Sequence, residues 1–445
     1  MRRFYHGVLF FLVSIVFQSG LYGVEGNPRE IRVGALLPLT GRLQSNGLSS
    51  QAAIDLAVED INHWLERNEQ PYALAVEVAD TATDPEIALQ GIQSMQQKDI
   101  QYVVGPFASS SVESVKPIVD QTNMLVLSPG SSSVALSLPN DHIYRMVADD
   151  SNQGDAVSFY CKKNSISYII PFYMDDSFGN SLYTSSKKWM EERGCVYDDG
   201  IKINTSENDL SEEIEILKEK VVAAQALVPS ASIAIHLITY DQTLDILRLS
   251  RQDANLSRVH WIGNDGFTGN HNLLSDPEAS AFAESVGLVS PIYQLDFDFL
   301  AYVERLMVRL QAKLQHDSDA LSLQTYDAIW MVFLAQKYRI VTCTDDCATA
   351  LESILPIYRG YTQVIRFNGN GDRYTGMYVF MNVKNKGDRY IWAKKATFSF
   401  ITAGTETDPT VAPVLNRLLI QVPPDFPEEG SYTLPVLCPL TGSLS

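Results

Sequence analysis

The sequence predicts an α/β protein of two lobes, each a parallel sheet flanked by helices, joined by a multi-strand hinge. Three observations carry this prediction. From Ile31 onward, short apolar runs alternate with amphipathic stretches, the pattern of βα repeats around a parallel sheet. The series pauses after Arg145 and then starts again. The chain also has 445 residues with 45% hydrophobic content, more than one core organises, since a single core stops growing at about 250–300 residues.

The first series reads as strand Ile31–Leu37, helix Leu48–Trp64, strand Ala73–Val78 and helix Pro85–Gln96. Ala52, Ala53, Leu56, Ala57, Val58 and Ile61 are spaced to cover one face of the first helix. The stretch from Gln101 to Leu136 then supplies two more strands, Tyr102-Val103-Val104 and Leu125-Val126-Leu127, each broken by Gly or Pro-Gly and followed by serines. In an open parallel sheet such loops gather at the carboxyl ends of strands, where ligands bind. Ser110 and Glu113 stand in capping-box spacing, so the helix opening there has an N-terminus suited to an anion such as an α-carboxylate. One Ser-rich connection would be read as a helix cap or a turn. Two facing one crevice point to a docking surface for a small molecule.

The second series runs helix Gly154–Lys163, strand Ser167–Tyr173, helix Phe178–Arg193, strand Cys195–Ile203, helix Leu210–Ala223, strand Ser232–Ile238, helix Gln242–Ser250 and strand Arg258–Ile262. Past Val289 come helices Asp296–Gln315 and Ser322–Arg339, then strand-like runs at Thr362–Phe367, Met377–Asn382 and Tyr390–Ala396. This order places residues 30–149 and 290–368 in lobe 1 and residues 150–289 and 369–400 in lobe 2. The crossings fall at Ala148–Gly154, near Pro291 and near Asn368. Residues 401–445 are Pro-rich with little periodicity, which predicts a tail on the surface or partly disordered.

Residues 1–23 have Arg2 and Arg3, an apolar run from Val8 to Phe17, then Ser19, Gly20 and Gly23, the layout of a cleavable secretory signal. The apolar run is too short for an anchor, because a membrane span needs roughly 20 residues. Export to the periplasm or the extracellular space is the expectation, with no membrane span after cleavage. A net charge of −19 without a basic cluster excludes nucleic acid as a partner. Five cysteines in an exported chain suggest disulfides, Cys343 with Cys347 and Cys161 with Cys195, leaving Cys438 unpaired. Free thiols are the alternative, and a metal site lacks a second Cys/His pair at zinc spacing.

Enzyme signatures are missing: there is no G-x-S-x-G elbow, phosphate loop, H-E-x-x-H helix or strand-linked G-x-G-x-x-G. The seven histidines are scattered, and Asn368-Gly-Asn-Gly-Asp372 reads as a tight turn, lacking the distal Glu of a calcium loop. The sequence therefore predicts a binder without cofactor or metal. Tyr240 follows the strand at Ile233–Ile238, and Asp265 follows Trp261–Gly263 with Gly263 and Gly266 beside it. A carboxylate there can pair with a ligand ammonium, although an Asx-turn after a strand explains it equally well.

Taken in order, several segments resemble the type I periplasmic binding proteins, of the branch typified by the leucine/isoleucine/valine-binding proteins and shared by metabotropic glutamate receptor ectodomains. They are Val33–Gly41, Ala52–Asn62, Val104–Ser111, Ser128–Ser133, Asp175–Gly179, Trp261–Asp265 and Phe367–Arg373, spread over residues 30–400. The resemblance implies two Rossmann-like lobes joined by a three-segment hinge. It places the ligand's α-carboxylate on Ser109 and on the amides of Ser131 and Ser132. The ammonium would then meet Ser132, Tyr240 and Asp265, with Phe107 as apolar wall. Where some relatives have a tryptophan before the first helix, this chain has Ser45-Asn46-Gly47, so Asn46 would make the pocket more polar or roomier. The implied function is capture of an amino acid or similar zwitterion for delivery to the membrane permease of an ABC importer. A sensor that presents its ligand to a membrane signalling partner is the alternative, and a Ser/Asp hydrolase ranks last because no His spacing supports it.

Overall fold

The computed structural model describes residues 28–205, 209–294, 300–319, 321–387, 389–401 and 420–421. The signal segment, Cys438 and most of the tail therefore lie outside the described residues.

The first βα series builds β1 (Arg29–Leu37), α1 (Gln44–Arg67), β2 (Tyr72–Asp80), α2 (Pro85–Gln97), β3 (Tyr102–Val104), α3 (Ser109–Asp120), β4 (Leu125–Ser128) and β5 (Ile143–Arg145). Its strands form one parallel sheet in the order β2-β1-β3-β4-β5. Strands β3, β4 and β5 are buried throughout, as expected of a parallel sheet covered on both faces.

The chain continues through α4 (Asp150–Lys163), β6 (Tyr168–Met174), α5 (Ser177–Glu192), β7 (Val196–Tyr197), β8 (Ile201–Ile203), α6 (Ser211–Gln225), β9 (Ile233–Ile238), α7 (Gln242–Ser250), β10 (His260–Ile262), α8 (His271–Ser275), α9 (Pro277–Ser285) and β11 (Val289–Gln294). Helices α10 (Leu300–Leu314), α11 (Leu321–Thr342) and α12 (Cys347–Ile354) follow, then β12 (Tyr358–Gly360), β13 (Gln363–Val364), β14 (Thr375–Asn385), β15 (Tyr390–Ile401) and β16 (Ile420–Gln421). The second sheet has the order β15-β14-β11-β10-β9-β6-β7, with β8 also on β6. It is parallel except where β14 and β15 add an antiparallel edge. Helix α11, buried from Leu321 to Ala335 apart from Leu323, packs against α1 and the first sheet.

Several local expectations change. The stretch Cys195–Ile203 is two short strands, because Gly200 takes φ +71 against the Pro171 carbonyl. The run at 362–367 yields only β13, which pairs back on β12. Pro291 lies inside β11, so the chain leaves the second sheet only after Gln294. Helix α3 is not opened by the Ser110/Glu113 box: its N-cap is Ala108, without a side-chain cap bond, which puts Ser110 inside the first turn. The four described cysteines are all free. The Cys195 thiol turns to the Ile166 carbonyl, Cys161 is buried on α4, and Cys347 is buried at the start of α12 while Cys343 is exposed.

The crossings between the sheets are stitched together. The Arg145 N–H donates to the Gly371 carbonyl at 2.8 Å, and the Arg373 N–H donates to the Arg145 carbonyl at 3.2 Å. Arg145 Nε reaches Asp372 Oδ1 at 2.5 Å with both side chains buried. Asn368 Oδ1 accepts from the N–H groups of Asn370 and Asp372, and Gly371 at φ +75 lies against the Ile143 carbonyl. The Asn-Gly-Asn-Gly-Asp run is thus the turn that docks the last crossing on β5.

Candidate functional site

The carboxyl ends of β3 and β4 carry the two serine loops to one edge of the first sheet. Ser109 is the first residue of α3 and is 2% exposed. Its Oγ accepts from Ser131 Oγ at 3.1 Å and from the backbone N–H groups of Ser132 and Ser133 at 3.3 and 3.2 Å. The two loops therefore meet as expected, but the hydroxyl expected to face a carboxylate holds the neighbouring loop instead. Ser128 Oγ tightens the same turn by donating to the Pro106 carbonyl at 2.6 Å.

The second sheet brings Tyr240 and Asp265 to the opposite side through the loops after β9 and β10. A cleft between the two has an atom-free volume, solvent mouth included, of about 370 Å³. Leu43, Phe107, Ser109, Gly130 and Leu321 form its lobe 1 wall. Phe178, Tyr240, Asp265 and Gly266 form the lobe 2 wall. Tyr240, 6% exposed, stacks on Phe178 with ring centroids 5.3 Å apart and 12° between planes. The walls touch beyond the cleft, where the Val134 N–H donates to Ser181 Oγ at 2.9 Å and Ser177 Oγ donates to Ser133 Oγ at 3.2 Å.

Six of the seven residues singled out from the sequence gather here: Ser109, Phe107, Tyr240 and Asp265 on the wall, with Ser131 and Ser132 behind Ser109. Asn46 does not. Helix α1 starts at Gln44, four residues before the expected Leu48, so Asn46 is a helical residue whose Nδ2 donates to Asp319 Oδ2 at 3.2 Å. Leu43 lines the cleft in its stead, and the wall there is apolar.

Asp150 is the residue that the sequence reading missed. It sits in the first turn of α4, 0% exposed, and its N–H donates to the Ser132 carbonyl at 2.8 Å. Neither of its carboxylate oxygens has a hydrogen-bond partner. Burial and the nearby Asp265 push its carboxyl up to about 8, while the Ser181 and Ser132 hydroxyls oppose the shift. Burial likewise pushes Asp265 to about 6, against the Gln153 side chain and neighbouring backbone N–H groups. The available signal was the doublet Asp149-Asp150: Asp149 already caps α4 by accepting from the Ser151 N–H at 2.9 Å, so the second acid is surplus to capping.

Chemically, the cleft offers the Ser109 hydroxyl on one wall, Asp265 and Tyr240 on the other, and apolar rings and leucines between, with the Ser132 and Ser133 amides and the fully buried Asp150 behind the lining. Among the described residues, no group of three His, Cys, Asp or Glu side chains converges to hold a metal ion, and no helix is long and apolar enough to cross a membrane.

This two-lobed α/β arrangement, with a cleft between sheets at the ends of parallel strands, defines a small-molecule binding protein. The chain belongs to the receptor family ligand binding region family, whose model matches residues 49–386. It is 26% identical over 307 residues to an uncharacterized protein of Methanocaldococcus jannaschii, covering 68% of this chain and 71% of that one. It is 23% identical over 304 residues to the leucine-, isoleucine-, valine-, threonine-, and alanine-binding protein of Pseudomonas aeruginosa, covering 68% and 76%. Among solved structures, a leucine binding protein from Thermotoga maritima superposes with TM-score 0.64 at 18% identity, over 83% of this chain and 99% of that one. A Rhodopseudomonas palustris solute binding protein in complex with 4-hydroxybenzoate gives TM-score 0.68 at 13% identity, over 83% and 97%. The fold is that of the type I periplasmic binding proteins, and the Pseudomonas, Thermotoga and Rhodopseudomonas relatives are solute-binding proteins, not enzymes.

Proposed function

We propose that this protein is an extracytoplasmic solute-binding protein that captures an amino acid or similar small zwitterion between its lobes and delivers it to the membrane permease of an ABC importer. The observation that carries this reading is the polarity of the cleft, with Ser109 and the amides it holds on one side, Asp265 and Tyr240 on the opposite wall, and the buried acid Asp150 behind the lining. A ligand carboxylate would replace Ser109 Oγ as the acceptor for the Ser132 and Ser133 amides, and the ammonium would lie between Tyr240 and the acids. Charge-assisted hydrogen bonds at both ends orient the ligand along the cleft. Leu43, Phe107 and Leu321 then surround an apolar side chain.

Relatives of this fold also bind aromatic acids, such as 4-hydroxybenzoate. Such an acid suits the serine wall but brings no cation to the two carboxylates, which favours the zwitterion here. Calorimetry of the purified protein against an amino-acid panel and against benzoate tests the choice. Amino acids are expected to bind, and Ser109→Ala and Asp265→Asn are each expected to weaken binding at least about tenfold, one lost charge-assisted bond being worth about 1.5–3 kcal/mol. Heat with benzoate alone, or amino-acid affinity unchanged in both variants, would refute the assignment.

A further inference from the structure

Among the described residues, Asp150 and Asp265 have no basic side chain bonded to them. Asp149 and Asp176 are occupied as helix caps, accepting from the N–H groups of Ser151 and Gly179 at 2.9 and 2.7 Å. Arg145, whose backbone lies close by in sequence, is locked to Asp372 and to the Ser133 carbonyl. The other titratable groups in the vicinity are Tyr240 beyond β9 and Tyr378 on β14, whose hydroxyls burial keeps protonated. The loop after β10 packs on the first turns of α4, where the Asp265 N–H donates to Gln153 Oε1 at 3.0 Å one turn along from Asp150; Asp150 is fully buried with neither oxygen in a hydrogen bond, and Asp265 lies at the cleft wall.

Two carboxylates enclosed together without a counter-charge do not both ionise, because the second charge is opposed by desolvation and by the first. The N-terminus of α4 offsets only part of that cost. Resting on the amino-acid reading above, we propose that the ligand-free cleft holds one proton on the Asp150–Asp265 pair, and that an ammonium-bearing ligand takes its place. Capture is then an exchange: the carboxylic acid O–H breaks, the proton leaves to water, and the ligand ammonium, bonded to Asp265 at the wall, balances two ionised carboxylates. The raised values of about 8 and about 6 for the two acids agree with a singly protonated pair near neutrality. The exchange also makes the cleft selective by charge, admitting zwitterions and amines and rejecting anions that bring no cation.

Two measurements test this. Calorimetry with L-leucine and L-lysine near pH 7, in phosphate and in Tris, reads the protons released from the difference in buffer ionisation heat. About one proton per bound amino acid is expected in the native protein and close to none in Asp150→Asn, with affinity falling about tenfold per pH unit between about pH 8 and 6. Amino-acid binding without proton release, or an equal release on adding sodium chloride alone, would overturn the exchange. The ligand-free protein supplies the second reading. Its melting temperature is expected to fall between pH 6 and 8 relative to Asp150→Asn, since the native state alone holds the proton in that window. Parallel curves would overturn the shared proton even if no amino acid binds, whereas a fall in the curve without amino-acid binding would refute the functional reading and leave the pair standing.

Discussion

Gly266 shows how closely single residues set this cleft. A Cβ at that position would stand 2.8 Å from the Tyr240 ring and 2.7 Å from Asn264 Oδ1, inside any real contact. Asn264 is itself fixed, donating from Nδ2 to the carbonyls of Leu237 and Thr239 at 3.0 and 2.8 Å. The ring must therefore give way, and it is already stacked on Phe178. Gly266→Ala is expected to displace Tyr240 and weaken ligand binding about tenfold, in keeping with the roughly 1–3 kcal/mol of a small overpacking. Amino-acid affinity equal to that of the native protein would show that Tyr240 does not meet the ligand. At this scale the sequence could place residues that stand a few positions beyond the end of a strand: Ser109, Ser131, Tyr240 and Asp265. Asp150 was hidden because an acid at a helix start is ordinary. Only the cap made by Asp149 reveals that its neighbour has no such duty.

At the scale of elements, the start of α1 and the seam beside it decide what the cleft sees. Gly47 packs so closely on the Pro38 carbonyl that a Cβ would lie 2.0 Å from it, which explains a glycine early in a helix. That contact, one turn earlier than periodicity alone indicates, directs Asn46 to Asp319, whose carboxyl burial pushes up to about 7. Beside it, His271 of α8 stacks on His316, which follows α10, at 3.8 Å between centroids and 8° between planes. The stack joins elements of the two lobes, as does the His271 N–H donating to Ser45 Oγ at 3.4 Å. Burial and His316 hold His271 below its usual value of 6.5, with Asp317 opposing. A histidine with a lowered value contributes its full stabilisation above about pH 6.5 and loses it as acid protonates the separated state preferentially. Lowering the pH from about 7 to 5 is thus expected to favour open lobes in the ligand-free protein. Small-angle scattering should show a larger radius of gyration at acid pH, with a smaller change in His271→Phe, which keeps a ring but cannot be protonated. An identical pH response in that variant would remove the stack from the account of closure.

Across the whole molecule, the two sheets are joined by crossings whose long-range contacts hydrophobic periodicity cannot show. Alternating strands and helices were readable because burial on both faces of a parallel sheet leaves near-continuous apolar runs. The exact point of the middle crossing was not, since β11 continues past Pro291 to Gln294 and its pairing with β14 is a long-range event. Nor could sequence show that Arg145 and Asp372, 227 residues apart, meet in the interior. This pair also reaches the site: Arg145 Nη1 donates to the Ser133 carbonyl at 2.6 Å, and the Ser133 N–H is one of those held by Ser109.

The Arg145–Asp372 pair therefore has two separable duties, holding the crossings together and fixing the second serine loop. Removing one partner of a buried ion pair strands the other charge, and the cost is about 3–5 kcal/mol. Arg145→Met and Asp372→Leu are each expected to lower the urea midpoint by that equivalent with little change in slope. Combined, they leave no uncompensated charge, and replacement of a buried pair by apolar groups is often close to neutral. The double variant is therefore expected to recover a large part of the lost stability. It should not recover ligand affinity, because the Ser133 carbonyl has lost its donor and the amides beside it lose their fixed direction. Stability and affinity restored together would mean that the pair only braces the hinge. Stability restored without affinity would place the hinge and the serine loops in one mechanical unit, with the ion pair at their junction.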